Sequence, residues 1–209
     1  EEANRLGAVD AVYDPVELLA MAKERGYYTV TRVVSFEDDI KAGAVPEHKL
    51  AGWWIDPRIR EAWEYPLALA VEACQLGFDE IQFDYVRFPT GRAAEVSGQR
   101  DLTQEERVST IEAYLEEARS RLHPLGCAVS ADIFGIVVSS PDDPGIGQRP
   151  EALSRQLDAV CPVVYPSHYA DGWLGFADPN DYPFEVTADA IDDALPRLVP
   201  GTVLRGWRL

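Results

Sequence analysis

Sulfur and histidine are scarce in this chain: three cysteines, three histidines and one methionine stand among 209 residues. Cys74, Cys127 and Cys161 are odd in number, sit in apolar surroundings ("VEACQLG", "PLGCAVS", "DAVCPVV") and show no CxxC spacing. They read as buried small hydrophobes rather than disulfide partners or metal ligands. His48, His123 and His168 lie far apart, in no HxH or HExxH arrangement, which argues against a histidine-built zinc site. Positive charge is short as well. Nineteen Lys and Arg against 36 Asp and Glu leave a formal charge of -17, so a nucleic acid partner is disfavoured by long-range repulsion from its phosphates. No apolar run approaches the roughly 20 residues that span a bilayer. The N-terminal "EEANRLG" has neither the basic segment nor the apolar core of a signal peptide, so the chain as it stands carries no address. No low-complexity segment, linker or short repeat interrupts it.

What is present is an alternation of helix and strand patterns over a length that suits one domain, residues 1–209. "DPVELLAMAKERG" opens with Asp14 as N-cap, Pro15 at the first helical position and Glu17 completing a capping box, and stops at Gly26. "YYTVTRVVSF" follows as a strand of β-branched residues. "DPRIREAWEYPLALAVEACQLG" repeats the Asp-Pro start at Asp56, with a kink expected at Pro66 and an end on Gly77. "DEIQFDYVRFP" is the next strand. Thr103 and Glu106 form a capping box for a helix whose Val108, Ile111, Leu115, Ala118 and Leu122 share one face. "CAVSADIFGIVV", a short helix over 150–157, "AVCPVVYPSHY", a helix over 183–198 and "TVLRGWRL" complete the series. Five helix–strand units in a row imply a parallel sheet with right-handed crossovers.

The connections entering the strands are short and those leaving them are long: 37–55, 89–102, 139–149 and 168–183. Long loops at the C-terminal ends of parallel strands are where barrel and open α/β enzymes build their sites. Period-two alternation puts Gln82 and Asp84 on one strand face and Ile81, Phe83 and Tyr85 on the other. In a barrel the apolar face meets helices, so Gln82 and Asp84 point inward, as do Arg32, Ser130 and Asp132. An internal ion pair of Arg32 or Arg87 with Asp84 is the bland reading, but such pairs cost desolvation energy and rarely improve on an apolar core. Paired carboxylates at strand ends need no cofactor and no metal to hydrolyse an acetal. Aromatic residues at or beyond strand ends, among them Tyr165, Tyr169, Trp173 and Trp207, could stack on sugar rings, and His168 in the "YPSHY" turn could hold a hydroxyl.

"TRVVSFED", "FDEIQFDYVRFP", "SADIFG" and "VVYPSHY", in that order, resemble a bacterial family of glycoside hydrolases with a TIM-barrel catalytic domain, catalogued largely as a domain of unknown function. The likeness runs from about "NRLGAVD" to "LRGWRL". It implies an α/β fold of the TIM-type (β/α) barrel, a carbohydrate substrate and an extracytoplasmic setting. The family looks distantly similar to α-amylase-like barrels. In those, the nucleophilic Asp ends the fourth strand and the proton donor the fifth, which are the places of Asp84 and Asp132. By that comparison the chain starts after the second strand and stops near the seventh, leaving an incomplete barrel of about five to six strands. Asp132 is shorter than the usual Glu, and Gly206 stands where a Pro is expected.

The leading expectation is a hydrolase of poly- or oligosaccharides with catalytic Asp84 and Asp132 and with Arg32, Gln82, Arg87, Tyr165, His168, Tyr169, Trp173 and Trp207 around the substrate. A carbohydrate-binding barrel without turnover is the alternative. A metal-assisted hydrolase built on Asp84, Asp132 and His168 ranks below both, since one His and two scattered acids make a weak ligand set. Glu37, Asp38 and Asp171 are the reserve candidates for catalysis. Sugar identity, linkage and oligomeric state are not written in these motifs.

Overall fold

The structure, a computed structural model, describes residues 2–8, 10 and 12–207. Its centre is a five-stranded parallel sheet. β1 (Val30–Val34), β4 (Glu80–Asp84), β5 (Ala128–Phe134), β6 (Ala159–Val163) and β7 (Val203–Leu204) follow one another in that order, each hydrogen-bonded to the next. The helices are α1 (Glu2–Arg5), α2 (Pro15–Glu24), α3 (Asp39–Ala44), α4 (Arg60–Leu76), α5 (Gly91–Val96), α6 (Gln104–Leu122), α7 (Pro150–Leu153) and α8 (Pro183–Ala194). Among the described residues β1 and β7 do not pair, so the barrel is not closed. The expected C-terminal strand reaches Leu209; its last two residues, Arg208 and Leu209, lie outside the described residues.

Local chemistry accounts for most helix ends. Asp14 accepts hydrogen bonds from the backbone N–H of Val16 and Glu17 at 2.8 and 3.3 Å, and Thr103 with Glu106 makes both halves of a capping box. The five residues predicted on the inner face of α6 are all buried. They meet α4, which runs unbroken through Pro66 and places Trp63, Leu67, Ala70 and Cys74 in the same core. Ile81 and Phe83 of β4 and Val129, Ala131 and Ile133 of β5 are fully buried beneath these two helices. The alternation argument therefore assigns Ile81, Phe83, Val129 and Ala131 to the helix-packed face correctly, but not Tyr85, which it grouped with them: β4 ends at Asp84, and Tyr85, beyond the pleat with φ 50°, lines the cavity.

Several boundaries differ from the sequence reading. α4 starts at Arg60 rather than after Asp56, because Asp56 is held in its own turn by the Arg58 backbone N–H at 2.9 Å and the Arg58 guanidinium at 2.6 Å. β5 ends at Phe134, not Val138. At Gly135 a Cβ would lie 2.5 Å from the Val163 carbonyl oxygen, so the chain turns there while pressed flat against β6. An antiparallel pair, β2 (Lys49–Ala51) and β3 (Trp54–Ile55), lies within the loop after β1. The reading of all three cysteines as free is also corrected: Cys74 at the end of α4 and Cys127 before β5 form a disulfide with Cα atoms 6.0 Å apart, leaving Cys161 buried and free. Pairing across 53 residues depends on how α4 and β5 pack, which no local spacing reveals.

Candidate active site

Parallel register aligns the inward-facing residues into rows across the sheet. Arg32 stands beside Gln82, Gln82 beside Ser130, and two residues further along come Asp84 and Asp132. A row at the C-terminal ends of β1, β4, β5 and β6 thus faces one cavity of about 370 Å³. It is lined by Arg32, Asp84, Tyr85, Arg87, Asp132, Ile133, Phe134, Val163, Tyr165, His168 and Trp207. Seven of the ten sequence-predicted site residues meet there.

Asp84 ends β4 and is ion-paired to Arg32, whose Nε donates to Oδ2 at 2.7 Å and whose Nη2 also reaches that oxygen. Its other oxygen accepts from the Tyr85 backbone N–H at 2.6 Å. Tyr85 itself takes a left-handed conformation (φ 50°), strained for a side-chain-bearing residue. The strain turns the chain sharply out of the sheet just after the carboxylate. Asp132 differs in every respect. It is 5% exposed, and its buried Oδ1 has no hydrogen-bond partner among the described residues. Burial first and the Asp84 charge second push its pKa up to about 7, against smaller opposing effects of Arg32 and the Trp207 indole.

Aromatic rings form the rest of the wall. Tyr165 and His168 have ring centres 5.1 Å apart, and His168 lies 5.7 Å from Phe134. Trp207 is carried in by a parallel bridge to Val163, its N–H donating to the Pro162 carbonyl at 2.9 Å. Arg87 lies among the rings of Trp54, Tyr85 and Phe134 at 4.8, 5.5 and 5.8 Å.

Three expected residues lie elsewhere. Gln82 is buried one row deeper, 3% exposed, close to Cys161. Tyr169 is 5% exposed in the core, its ring 5.1 Å from that of Trp173, and neither lines the cavity. Of the loop 168–183, only His168 reaches the cavity. Reserve candidates Glu37, Asp38 and Asp171 do not line it either, and Asp38 caps α3 by accepting from the Lys41 N–H at 2.8 Å. Phe134 was missed although the signal was present: Ser130, Asp132 and Phe134 follow one another at period two.

Beneath the site a second polar cluster plugs the inner face. Glu80, 2% exposed, accepts from the Tyr28 hydroxyl at 2.9 Å, the Ser130 hydroxyl at 2.5 Å and the Arg205 guanidinium at 2.7 and 3.2 Å. With every lone pair engaged, its role is structural. Among the described residues no group of three or more His, Cys, Asp and Glu side chains is placed to hold a metal ion, and no helix is long and apolar enough to cross a membrane.

Solved structures share this architecture. A hypothetical protein from Ruminiclostridium thermocellum aligns with 28% identity over 63% of this chain and 72% of its own, with a TM-score of 0.52. A chitinase from Chromobacterium violaceum aligns over 95% of this chain at 15% identity and a TM-score of 0.57. The glycoside hydrolase domain of PgaB from Bordetella bronchiseptica aligns over 86% at 11% identity and a TM-score of 0.60. This chain spans 55% of the chitinase and 62% of the PgaB domain. At such identities these two likenesses establish the fold, a TIM-type barrel, and no more. No curated protein sequence matches the chain. Over residues 1–207 it matches, and so belongs to, the family described as "Putative glycosyl hydrolase domain".

Proposed function

We propose that this chain is a single domain that hydrolyses glycosidic bonds of a poly- or oligosaccharide by a two-carboxylate mechanism, with Asp84 as nucleophile and Asp132 as general acid and base. One observation carries the reading: two carboxyl groups from neighbouring strand ends face one cavity in contrasting environments. Asp84 is ion-paired to Arg32 and held by a backbone N–H, whereas Asp132 is buried, with a pKa near 7. Two titratable groups pushed apart in this way suit the division of labour that acetal cleavage requires.

In the first step the Asp84 carboxylate attacks the anomeric carbon as the bond to the leaving oxygen breaks, and Asp132 gives that oxygen its proton. In the second, Asp132 takes a proton from water, and the hydroxide formed displaces Asp84 from the sugar. Arg32 holds the nucleophile's oxygen in place between steps. Tyr165, His168 and Trp207 supply ring faces and hydrogen-bonding groups for the sugar. A chitinase and a glycoside hydrolase domain among the structural neighbours are consistent with a glycan as substrate. The Cys74–Cys127 disulfide fits an oxidising, extracytoplasmic place of action.

Asp84→Asn abolishes turnover on every glycoside in this mechanism. Asp132→Asn spares activated aryl glycosides, whose leaving groups need little protonation, and azide restores turnover to Asp84→Gly. An Asp132→Asn enzyme as inactive on aryl as on alkyl glycosides would refute the assignment. Saturable sugar binding without turnover by the unaltered protein would make it a carbohydrate-binding barrel instead.

A further inference from the structure

Of the arginines and carboxylates lining the cavity, Arg87 is the one whose chemistry the two-carboxylate mechanism leaves unused. Its guanidinium has five N–H donors, of which one has a partner, the Phe88 carbonyl at 3.1 Å. Three aromatic rings enclose it. No carboxylate lies within 4 Å of it among the described residues, although every other arginine at the sheet's C-terminal face or plug that we have described has one: Arg32 has Asp84 and Arg205 has Glu80. Burial lowers its pKa, and Glu37, then Tyr85, then Asp84 partly offset this. Asp84 is already engaged by Arg32 and the Tyr85 N–H.

A half-desolvated cation without a contacting anion is costly. The rings around Arg87 replace part of its hydration, and Arg87 lines the cavity together with Tyr85 and Phe134. Below pH 7, with Asp132 protonated, the lining holds Arg32 and Arg87 against Asp84. Two arginines thus stand together in the cavity of a protein of formal charge -17.

We propose that Arg87 receives a carboxylate carried by the bound sugar, which makes the substrate a glycan containing an acidic sugar residue. The planar guanidinium fork matches a carboxylate in bidentate geometry better than it matches any hydroxyl. This proposal rests on the cavity being the glycan site, but not on turnover.

The test uses binding and kinetics separately. Calorimetry with a uronate-containing oligosaccharide, and with the same oligosaccharide reduced to its neutral alcohol, reads affinity whether or not the protein is a hydrolase. The acid is expected to bind about tenfold or more tightly, the scale of a charge-assisted hydrogen-bonded pair. Arg87→Met, which keeps bulk among the rings, brings the two affinities together, and Arg87→Lys, which keeps the charge but not the fork, leaves an intermediate preference. Equal affinity of the unaltered protein for both oligosaccharides overturns the proposal and needs no variant. Should Arg87 act only on the charge of Asp84, Arg87→Met shifts the pH profile of kcat equally for both substrates and leaves their KM ratio unchanged, which also overturns it. Acid-selective binding without hydrolysis would instead sink the hydrolase reading and leave this one standing.

Discussion

Asp132 has a carboxyl group that burial and a neighbouring negative charge keep protonated well above the ordinary range. In its proposed role as general acid it must hold its proton, so kcat/KM should fall as pH rises through about 7, with the descending limb of the profile set by this residue. Carboxyl NMR checks the origin directly: the Asp132 midpoint lies near 7 in the unaltered protein and lower in Asp84→Asn, because the second cause of the shift is gone. A midpoint unmoved by Asp84→Asn would mean that burial alone sets it. The same shift has a stability sign. A carboxyl whose folded pKa exceeds its unfolded value binds more protons in the native state, so between about 4 and 7 its contribution to stability diminishes as pH rises. An enzyme that keeps such a group gives up stability at neutral pH for a proton it can transfer, the kind of local conflict expected where function overrides folding.

Elements show where sequence reading succeeds and where it stops. The helix starts at Asp14 and Thr103 are governed by a cap three residues long, and both N-caps are found, though Glu17 does not return the bond that Glu106 makes: Asp14 caps α2 through its own side chain alone. Face assignments need only period two or 3.6, and they place Arg32, Asp84 and Asp132 together from the sequence alone. Strand ends are different. β1 and β5 stop short of their apolar runs because the chain leaves the sheet to build loops, and at Gly135 the reason is a carbonyl on another strand. Tyr169 and Trp173 share the composition of a binding wall, yet they pack on each other; a loop's path decides which ring is buried, and no periodicity encodes that path. The β2–β3 hairpin did carry a signal in Gly52, the first residue of a two-residue connection with φ 57°. The disulfide carried none. Closing a 53-residue separation is worth about 4 kcal/mol in the chain-entropy account. Paired Cys74→Ala and Cys127→Ala substitutions should lower the unfolding free energy on that scale in urea melts, while Cys161→Ala, at a buried position without a bond, should cost much less. Equal losses would show that packing, not the cross-link, is what matters at these sites.

The molecule as a whole is strongly anionic around a cavity that holds Arg32 and Arg87, and these two scales of charge oppose one another for an acidic glycan. Distant repulsion acts on the encounter and is screened by salt, whereas a desolvated contact at Arg87 is not. The KM for an acidic oligosaccharide should therefore fall as ionic strength rises from about 0.01 to 0.15 M, as the screening length shrinks from about 30 to 8 Å. A KM that rises with salt would place attraction, not repulsion, in control of the encounter. A second global property follows from the unequal sheet edges. β7 is two residues long, and beyond it Arg205 donates to the Val160 carbonyl and Trp207 to that of Pro162, while Val164 donates to the Trp207 carbonyl, each at 2.9 Å. At the sheet's centre, β4 and β5 lie under α4 and α6, with the disulfide crossing between them. Opening free energies in one protein range from almost nothing at weakly held margins to the global value at the core. Native-state amide exchange should accordingly release Arg205 and Trp207 at far lower energy than Ile81 or Val129. The cavity is thus walled by parts of unequal local stability, with Asp84 and Asp132 on the sheet's best-protected strands.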